Sequence, residues 1–128
     1  MGYRSDVKYV IVFPSIEKRD EFLVKQKMLG DKHIQEAVNQ LEVLEDKPVV
    51  RFHADGWKWY ESYPEVQAHH KLMYSAVVKY GARWRFIRIG EDYNDIDVDY
   101  HEPDEIVDGM LDPFDLLYVE RSSGFNDP

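Results

Sequence analysis

The stretch 83–101 has the pattern of a β-hairpin, and it limits the possible folds more than any other part of the chain. Residues 83–89 are mostly aromatic, β-branched or basic, whereas residues 96–101 alternate Ile, Val and Tyr with Asp and His. The five residues between them, 90–94, include Gly, Asp and Asn, which favour turns. We therefore expect two antiparallel strands joined at this turn.

The N-terminal part of the chain predicts a strand followed by a helix. Residues 6–13 are almost continuously apolar, which is typical of a central strand, and Pro14 ends the run. Ser15 is a good N-cap, so we expect a helix from there to about Leu29, with Gly30 as its stop.

The next segment predicts a second helix, which Asp31 can cap. Lys47 and Pro48 would end this helix. Its apolar residues follow helical spacing: Ile34, Ala37, Val38, Leu41 and Leu44.

Residues 49–60 have the composition of a strand around an Asp-Gly pair at 55–56. This pair predicts either a two-residue hairpin turn or a bulge in one long strand, and both remain open. Ser62 and Glu65 then have the spacing of a capping box, which predicts a third helix to about Tyr80. The expected inward face of that helix is Val66, His70, Met73 and Val77, with Leu72 and Ala76 beside them.

The C-terminal part has weaker patterns. Residues 103–110 predict a short irregular or helical segment, residues 114–120 predict a last strand, and residues 122–128 predict a frayed tail. The whole order favours a single α+β domain over residues 1–121, with a mostly antiparallel sheet and two or three helices on one face. A ferredoxin-like arrangement is the leading topology.

Composition excludes several classes of function. Nine Tyr, six Phe and three Trp in 128 residues argue against a disordered chain. There is no Cys, which excludes disulfides, thiolate catalysis and Cys-ligated zinc. The apolar run at residues 9–13 is too short for the hydrophobic part of a signal sequence or for a membrane span.

The charges of the chain are sorted along its length. Residues 1–90 hold 15 Lys or Arg and 12 Asp or Glu, whereas residues 91–128 hold 13 acidic residues and a single base, Arg121. The two parts therefore carry formal charges of +3 and −12, within a net charge of −9. Such acidity opposes direct binding to nucleic acid or to anionic membranes, and it favours a partner with a basic surface.

Three stretches carry a resemblance to known proteins: MGYRSDV at residues 1–7, WKWYESYPEV at residues 57–66, and RIGED at residues 88–92, which acidic residues follow. They resemble stretches of a group of small tailed-phage proteins. The resemblance implies a phage origin and an accessory, nonvirion role in the host cytoplasm, and it implies no catalytic residue. Small acidic phage proteins are often inhibitors of host enzymes or defences, so the resemblance favours a role in host takeover or anti-defence.

The acidic hairpin and the segment after it supply the candidate partner-binding residues. Three interpretations stay open for them: a solvated strand face, a defence against edge-to-edge pairing, or a patch that binds a partner. The candidates are Glu91, Asp92, Tyr93, Asp95, Asp97, Asp99, Tyr100, Glu102, Asp104 and Glu105.

A divalent metal site is the competing interpretation of the same strand. Asp97, Asp99 and His101 alternate, so they would lie on one face of the strand and could bind a cation. The spacing does not fit an EF-hand, because a loop starting at Asp95 would place Tyr100 where the glycine belongs.

Other candidate residues have more ordinary interpretations. His69 and His70 are adjacent on a helix and cannot point the same way, and His70 lies on the expected apolar face, which predicts a hydrogen-bonded core histidine. An aromatic cluster is expected to fill the core rather than to stack nucleic-acid bases: Trp57, Trp59, Tyr60 and Tyr63. Three arginines are expected to pair with nearby carboxylates: Arg83, Arg85 and Arg88.

The sequence therefore favours a noncatalytic protein, without a cofactor, that binds and modulates a host protein through an acidic surface. A nucleic-acid mimic is the sharpest form of this hypothesis, and Tyr93 and Tyr100 would be its aromatic anchors. A small metal-dependent hydrolase or ligand-binding protein using Asp97, Asp99 and His101 is the alternative. Self-association as a homodimer is a third hypothesis.

Overall fold

Four helices and seven strands alternate along the part of the chain that the structure, a computed structural model, describes: residues 2–119 and 123–128. The α+β class expected from the sequence is confirmed. In chain order the elements are β1 (Ser5–Val12), α1 (Ile16–Leu29), α2 (Lys32–Asn39), β2 (Glu42–Leu44), β3 (Val49–Trp57), α3 (Pro64–Tyr80), β4 (Arg83–Gly90), β5 (Ile96–His101), α4 (Pro113–Leu116), β6 (Leu117–Val119) and β7 (Ser123–Phe125).

Five strands form one antiparallel sheet in the order β2-β3-β1-β4-β5. The first four strands have the ferredoxin-like order, in which β1 and β2 are separated by β3 and the helices connect them. The leading topology is thus the observed one, with β5 added beside β4 at the edge. β6 and β7 form a separate two-stranded sheet.

β1 is buried on both of its faces, which explains its nearly continuous apolar sequence. Tyr9 and Ile11 belong to the core between the sheet and the helices α1, α2 and α3. Val10 and Val12 point to the opposite face, where they pack with Leu116 of α4 and other apolar residues. Three helices therefore cover one face as expected, and the short α4 lies on the other.

The Asp-Gly pair at 55–56 forms a bulge, which resolves the two interpretations of this segment. Ser5 is opposite Trp57, and Val7 is opposite Ala54, so two steps along β1 correspond to three along β3. Gly56 has a φ of 66°, a left-handed conformation that costs glycine little. The segment is therefore one bulged strand and not a hairpin.

The second helix is shorter than its apolar spacing predicts. α2 ends at Asn39, and the expected last turn is instead the edge strand β2, in which Val43 and Leu44 lie opposite Val50 and Val49. Strand pairing satisfies backbone groups that a longer helix would otherwise have bonded.

The start of the third helix and the end of the described chain also differ from expectation. No capping box forms, because the N-cap of α3 is Tyr63 and its side chain accepts no hydrogen bond. Residues 113–116 are helical rather than extended: Asp112 caps the N–H of Phe114 at 2.9 Å, and Pro113 suits a first turn.

The expected last strand survives only in part as β6, and its expected end at residue 120 lies outside the described residues. Three residues of the expected frayed tail, Ser123–Phe125, form β7 and pair with β6. None of the helices within the described ranges is long and apolar enough to cross a membrane.

Candidate functional site

The predicted hairpin is present, and it places the acidic strand at the edge of the sheet. The N–H of Gly90 donates to the carbonyl of Asp95 at 2.8 Å and closes the turn. Along the pair, Arg88 is opposite Asp97 and Arg85 is opposite Tyr100. All six residues of β5 are exposed.

Arg88 neutralises two of the candidate carboxylates. Its Nη2 lies 2.7 Å from Oδ1 of Asp95 and 2.6 Å from Oδ2 of Asp97, and its Nη1 donates to Oγ of Ser5 at 2.9 Å. The hydroxyl of Tyr3 donates to Oδ2 of Asp95 at 2.6 Å. The pKa of the Asp95 carboxyl is therefore lowered, mainly by Arg88 and then by Tyr3, and the pKa of Arg88 is raised.

The other two arginines of β4 behave differently from each other. Arg83 pairs with Glu102 at 2.8 Å and lies 3.4 Å from Asp112, as expected. Arg85 does not form the expected ion pair with any described carboxylate. Its Nη1 donates instead to the carbonyl of Leu117 at 2.9 Å, and its guanidinium lies 4.3 Å from the ring centre of Phe114.

Five candidate carboxylates remain without an ion pair to any described basic side chain: Glu91, Asp92, Asp99, Asp104 and Glu105. All five are exposed. Glu91 accepts the backbone N–H of Arg4 at 3.1 Å, and Asp99 accepts that of Tyr100 at 2.8 Å. The acidic surface available to a partner is therefore narrower than the sequence suggested.

The two faces of β5 differ in chemistry. Asp97, Asp99 and His101 lie on the same face as α3, because their partners across the ladder include Phe86 and Trp84 of the helix-side core. The alternate residues lie on the face of α4 and are exposed apolar side chains: Ile96, Val98 and Tyr100. The Tyr100 ring packs against Phe114, with 5.1 Å between ring centres, so the apolar side of the strand continues onto α4.

A groove of about 320 Å³ lies between α3 and β5. Sequence reasoning missed it, because its β5 residues lie more than 20 positions after Val78 of α3 and no local pattern brings them together. It is lined by His70, Met73, Tyr74, Val77 and Val78 of α3 and by Trp84, Asp99 and His101 of the sheet. Tyr74 and Val78 are exposed large apolar residues that face solvent from this helix.

The residues of the alternative metal site share a face, but each makes another contact. Asp97 is held by Arg88, Asp99 accepts the N–H of Tyr100, and the ring of His101 lies 5.1 Å from that of Trp84. Among residues 2–119 and 123–128 no group of three or more His, Asp or Glu side chains is arranged to hold a metal ion.

The buried histidine of α3 is His69 and not His70, so the expectation for this pair was wrong. His69 is 0% exposed, whereas the side chain of His70 is 37% exposed, with its Nε2 3.2 Å from Oε2 of Glu61. Nε2 of His69 lies 2.8 Å from Oε1 of Gln40, which can only accept, so Nε2 carries the proton. Nδ1 therefore accepts the hydroxyl of Tyr9 at 2.6 Å.

Three of the four residues of the aromatic cluster pack in or against the core as expected. Trp59 is buried, and Trp57 and Tyr63 are partly buried against the same core. Tyr60 contributes a hydrogen bond instead, because its hydroxyl accepts the N–H of Tyr3 at 2.7 Å. These aromatic rings are therefore not arranged as an open stacking surface for nucleic-acid bases.

Comparison with known proteins adds no identification. No protein-family model matches the chain, and no curated protein or solved structure is significantly similar to it.

Proposed function

We propose that the protein is a noncatalytic binding protein whose acidic and aromatic sheet edge recognises a basic surface on another protein. The observation that carries the proposal is the exposure of β5, where Val98 is 47% and Tyr100 is 53% exposed at the end of the sheet. Soluble proteins usually cover or charge such an edge. An exposed apolar row beside unpaired carboxylates is typical of a protein-binding surface.

The charges supply the attraction, and the aromatic residues supply the affinity. The five carboxylates without ion pairs attract basic residues of a partner and speed the encounter, an effect that salt screens. Tyr100, supported by Phe114, offers a large apolar contact that loses little conformational entropy on binding. Tyr93 at the turn is a second exposed aromatic residue.

The sequence resemblance supports a setting for this binding. In the phage role that it implies, the partner is a host protein in the host cytoplasm, and binding modulates that protein as an inhibitor does. A host groove that normally holds nucleic acid is the sharpest example of a basic partner, because its charges match the carboxylates on the hairpin.

A matched pair of charge reversals tests this function. The first variant changes Asp99, Asp104 and Glu105 to Lys. The control changes Glu36, Glu45 and Asp46 to Lys, which alters the net charge equally at exposed positions far along the chain from the hairpin. Each protein is immobilised, and the proteins captured from a bacterial lysate are quantified by mass spectrometry at low and high salt.

The site variant should lose roughly tenfold or more of a partner that the unmodified protein and the control both capture, and high salt should weaken the capture. Circular dichroism and thermal unfolding show whether all three proteins are folded. Equal capture by the two charge-reversed variants would overturn the proposed function, because net charge alone would then explain the binding.

A further inference from the structure

β5 ends the main sheet with an open edge. It pairs with β4 on one side, and no strand among the described residues pairs with its other side. Every residue of the strand is exposed. An open edge presents backbone N–H and C=O groups that another extended chain can pair with.

The register shows which backbone groups face outward. The carbonyl of Asp95 accepts from Gly90 and therefore faces β4. Because backbone direction alternates along an antiparallel strand, Asp97, Asp99 and His101 also face β4, whereas Ile96, Val98 and Tyr100 face the open side. The N–H of Tyr100 agrees with this assignment, since it donates to the side chain of Asp99 at 2.8 Å rather than to β4.

The groove between α3 and β5 runs along this open strand. It holds about 320 Å³ and is lined mainly by apolar side chains, with Asp99 and His101 on the strand side and His70 on the helix side. A strand paired to β5 would direct every second side chain toward this groove. The groove can therefore take the basic side chains of a strand added to the edge, with their aliphatic stems on the apolar lining and their charged ends beside Asp99. Strand addition is a known way in which sheets bind peptides.

The charges select the kind of strand that fits. Asp99 lines the groove without an ion pair to a described base, and Glu91 and Asp92 lie at the turn before the strand. A second copy of the chain would bring an identical row of carboxylates against this one, within a protein of net charge −9. A basic segment with alternating apolar residues complements the edge instead.

We propose that an extended basic segment of the partner protein adds to β5 as a sixth strand. Its basic side chains lie in the groove between α3 and β5 beside Asp99, and its apolar side chains lie beside Val98 and Tyr100 on the other face. This inference rests on the proposed function and specifies how the partner is held. On binding, the N–H of Tyr100 exchanges the carboxylate of Asp99 for a carbonyl of the segment. Asp99 is then free to pair with a lysine or arginine of that segment.

Val98→Pro tests the strand addition directly. The N–H of Val98 faces the open side, so proline removes a donor that the added strand needs without removing a hydrogen bond to β4. Val98→Thr is the matched control, because it keeps both the N–H and the β-branched shape. The probe is a seven-residue peptide that alternates Lys and Val, blocked at both ends, and binding is measured by isothermal titration calorimetry.

The unmodified protein and Val98→Thr should bind the peptide within about twofold of each other, and Val98→Pro should bind roughly tenfold or more weakly. Amide hydrogen exchange on the unmodified protein gives a second measurement that does not depend on a variant. The peptide should slow the exchange of the Val98 and Tyr100 amides, while the Asp97 amide, which already faces β4, should change little.

The outcomes separate this inference from the proposed function. If Val98→Pro keeps its affinity, or if the Val98 and Tyr100 amides are not slowed, strand addition is overturned. The proposed function survives that result as long as the variant of Asp99, Asp104 and Glu105 still loses capture. Failure of the unmodified protein to bind the peptide also overturns strand addition by a basic segment. A dimer in light scattering that Val98→Pro dissociates would overturn it by placing a second copy at the edge.

Discussion

Arg88 and Asp95 form a bidentate ion pair in the hairpin: two guanidinium nitrogens of Arg88 hydrogen-bond to the two carboxylate oxygens of Asp95, at 2.7 and 3.1 Å. The same guanidinium bonds Asp97 and Ser5, so it ties the edge strand to the central strand. Tyr3 closes the arrangement from the N-terminal side. Arg88 on β4 thus anchors the acidic strand β5.

Replacing Arg88 by Met should destabilise the protein, because Asp95 and Asp97 would then lie close together without a counter-charge. We expect the free energy of unfolding to fall by about 1–3 kcal/mol. Arg51→Met is the control, since it removes one ion pair with the exposed Glu42 and a contact with Phe125, and should cost about 1 kcal/mol or less. Urea unfolding of both variants measures the difference, and equal losses would contradict this role of Arg88.

The hydrogen bond from Tyr9 to His69 predicts the effect of a single hydroxyl. Tyr9→Phe leaves Nδ1 of the buried His69 without its donor, which should cost about 1–3 kcal/mol. Tyr74→Phe removes a hydroxyl from an exposed ring, and its effect should stay within about 0.5 kcal/mol. Chemical unfolding measures both, and an unchanged stability of Tyr9→Phe would show that the bond is not needed.

His69 also predicts a pH dependence of stability. Burial, and to a smaller extent His70, lowers its pKa from 6.5 to about 4, so the unfolded chain takes up a proton at a higher pH than the folded protein does. Stability should be full above pH 6.5 and should decline as the pH falls toward 4, by roughly 3 kcal/mol in total.

Unfolding experiments between pH 7.5 and pH 5 isolate this effect. The carboxyls with lowered pKa, such as Asp31 and Asp95, ordinarily titrate near 3.8 and lose their contribution only at lower pH. His69→Gln should flatten the decline, whereas His53→Gln, at an exposed position, should keep it. A decline that persists in His69→Gln would assign it to another group.

The bulge at Gly56 predicts a purely conformational effect. Gly56 has a φ of 66°, and an added Cβ would meet no atom within 4 Å, so Gly56→Ala introduces strain without a clash. We expect a loss of about 1–2 kcal/mol, with a smaller loss for Gly56→Asn, which tolerates this conformation better. Thermal unfolding of the two variants checks the order, and an alanine variant as stable as the unmodified protein would contradict it.

Local patterns were sufficient where the residues of an element decide its structure by themselves. Ser15 caps α1 as expected, with its hydroxyl accepting the N–H of Lys18 at 3.1 Å. The nearly continuous apolar run became the central strand β1, and the turn at 90–94 became the hairpin. The order of helices and strands along the chain also predicted the strand order, because a ferredoxin-like sheet is a common arrangement that packs the helices on one face.

The rotation of α3 and the length of α2 depended on contacts with residues elsewhere in the chain. His69 and His70 differ by 100° around α3, and packing against Tyr9 and Phe52 selected His69 for the core. The spacing of His69 with Leu72, Met73 and Ala76 was a signal that could have shown this. Leu44 fitted a helical spacing equally well, but pairing with β3 made it part of a strand.

By itself, the sequence determined the sorting of charge and the alternation of acidic and apolar residues along β5, because both are properties of neighbouring residues. Only the tertiary structure decided which carboxylates stay available to a partner. Asp95 pairs with Arg88 and accepts a hydrogen bond from Tyr3, which lies 92 residues away, whereas Asp99 forms no ion pair with a described base. Ion pairing depends on distances of a few ångströms, and folding alone sets those distances between residues far apart in the chain.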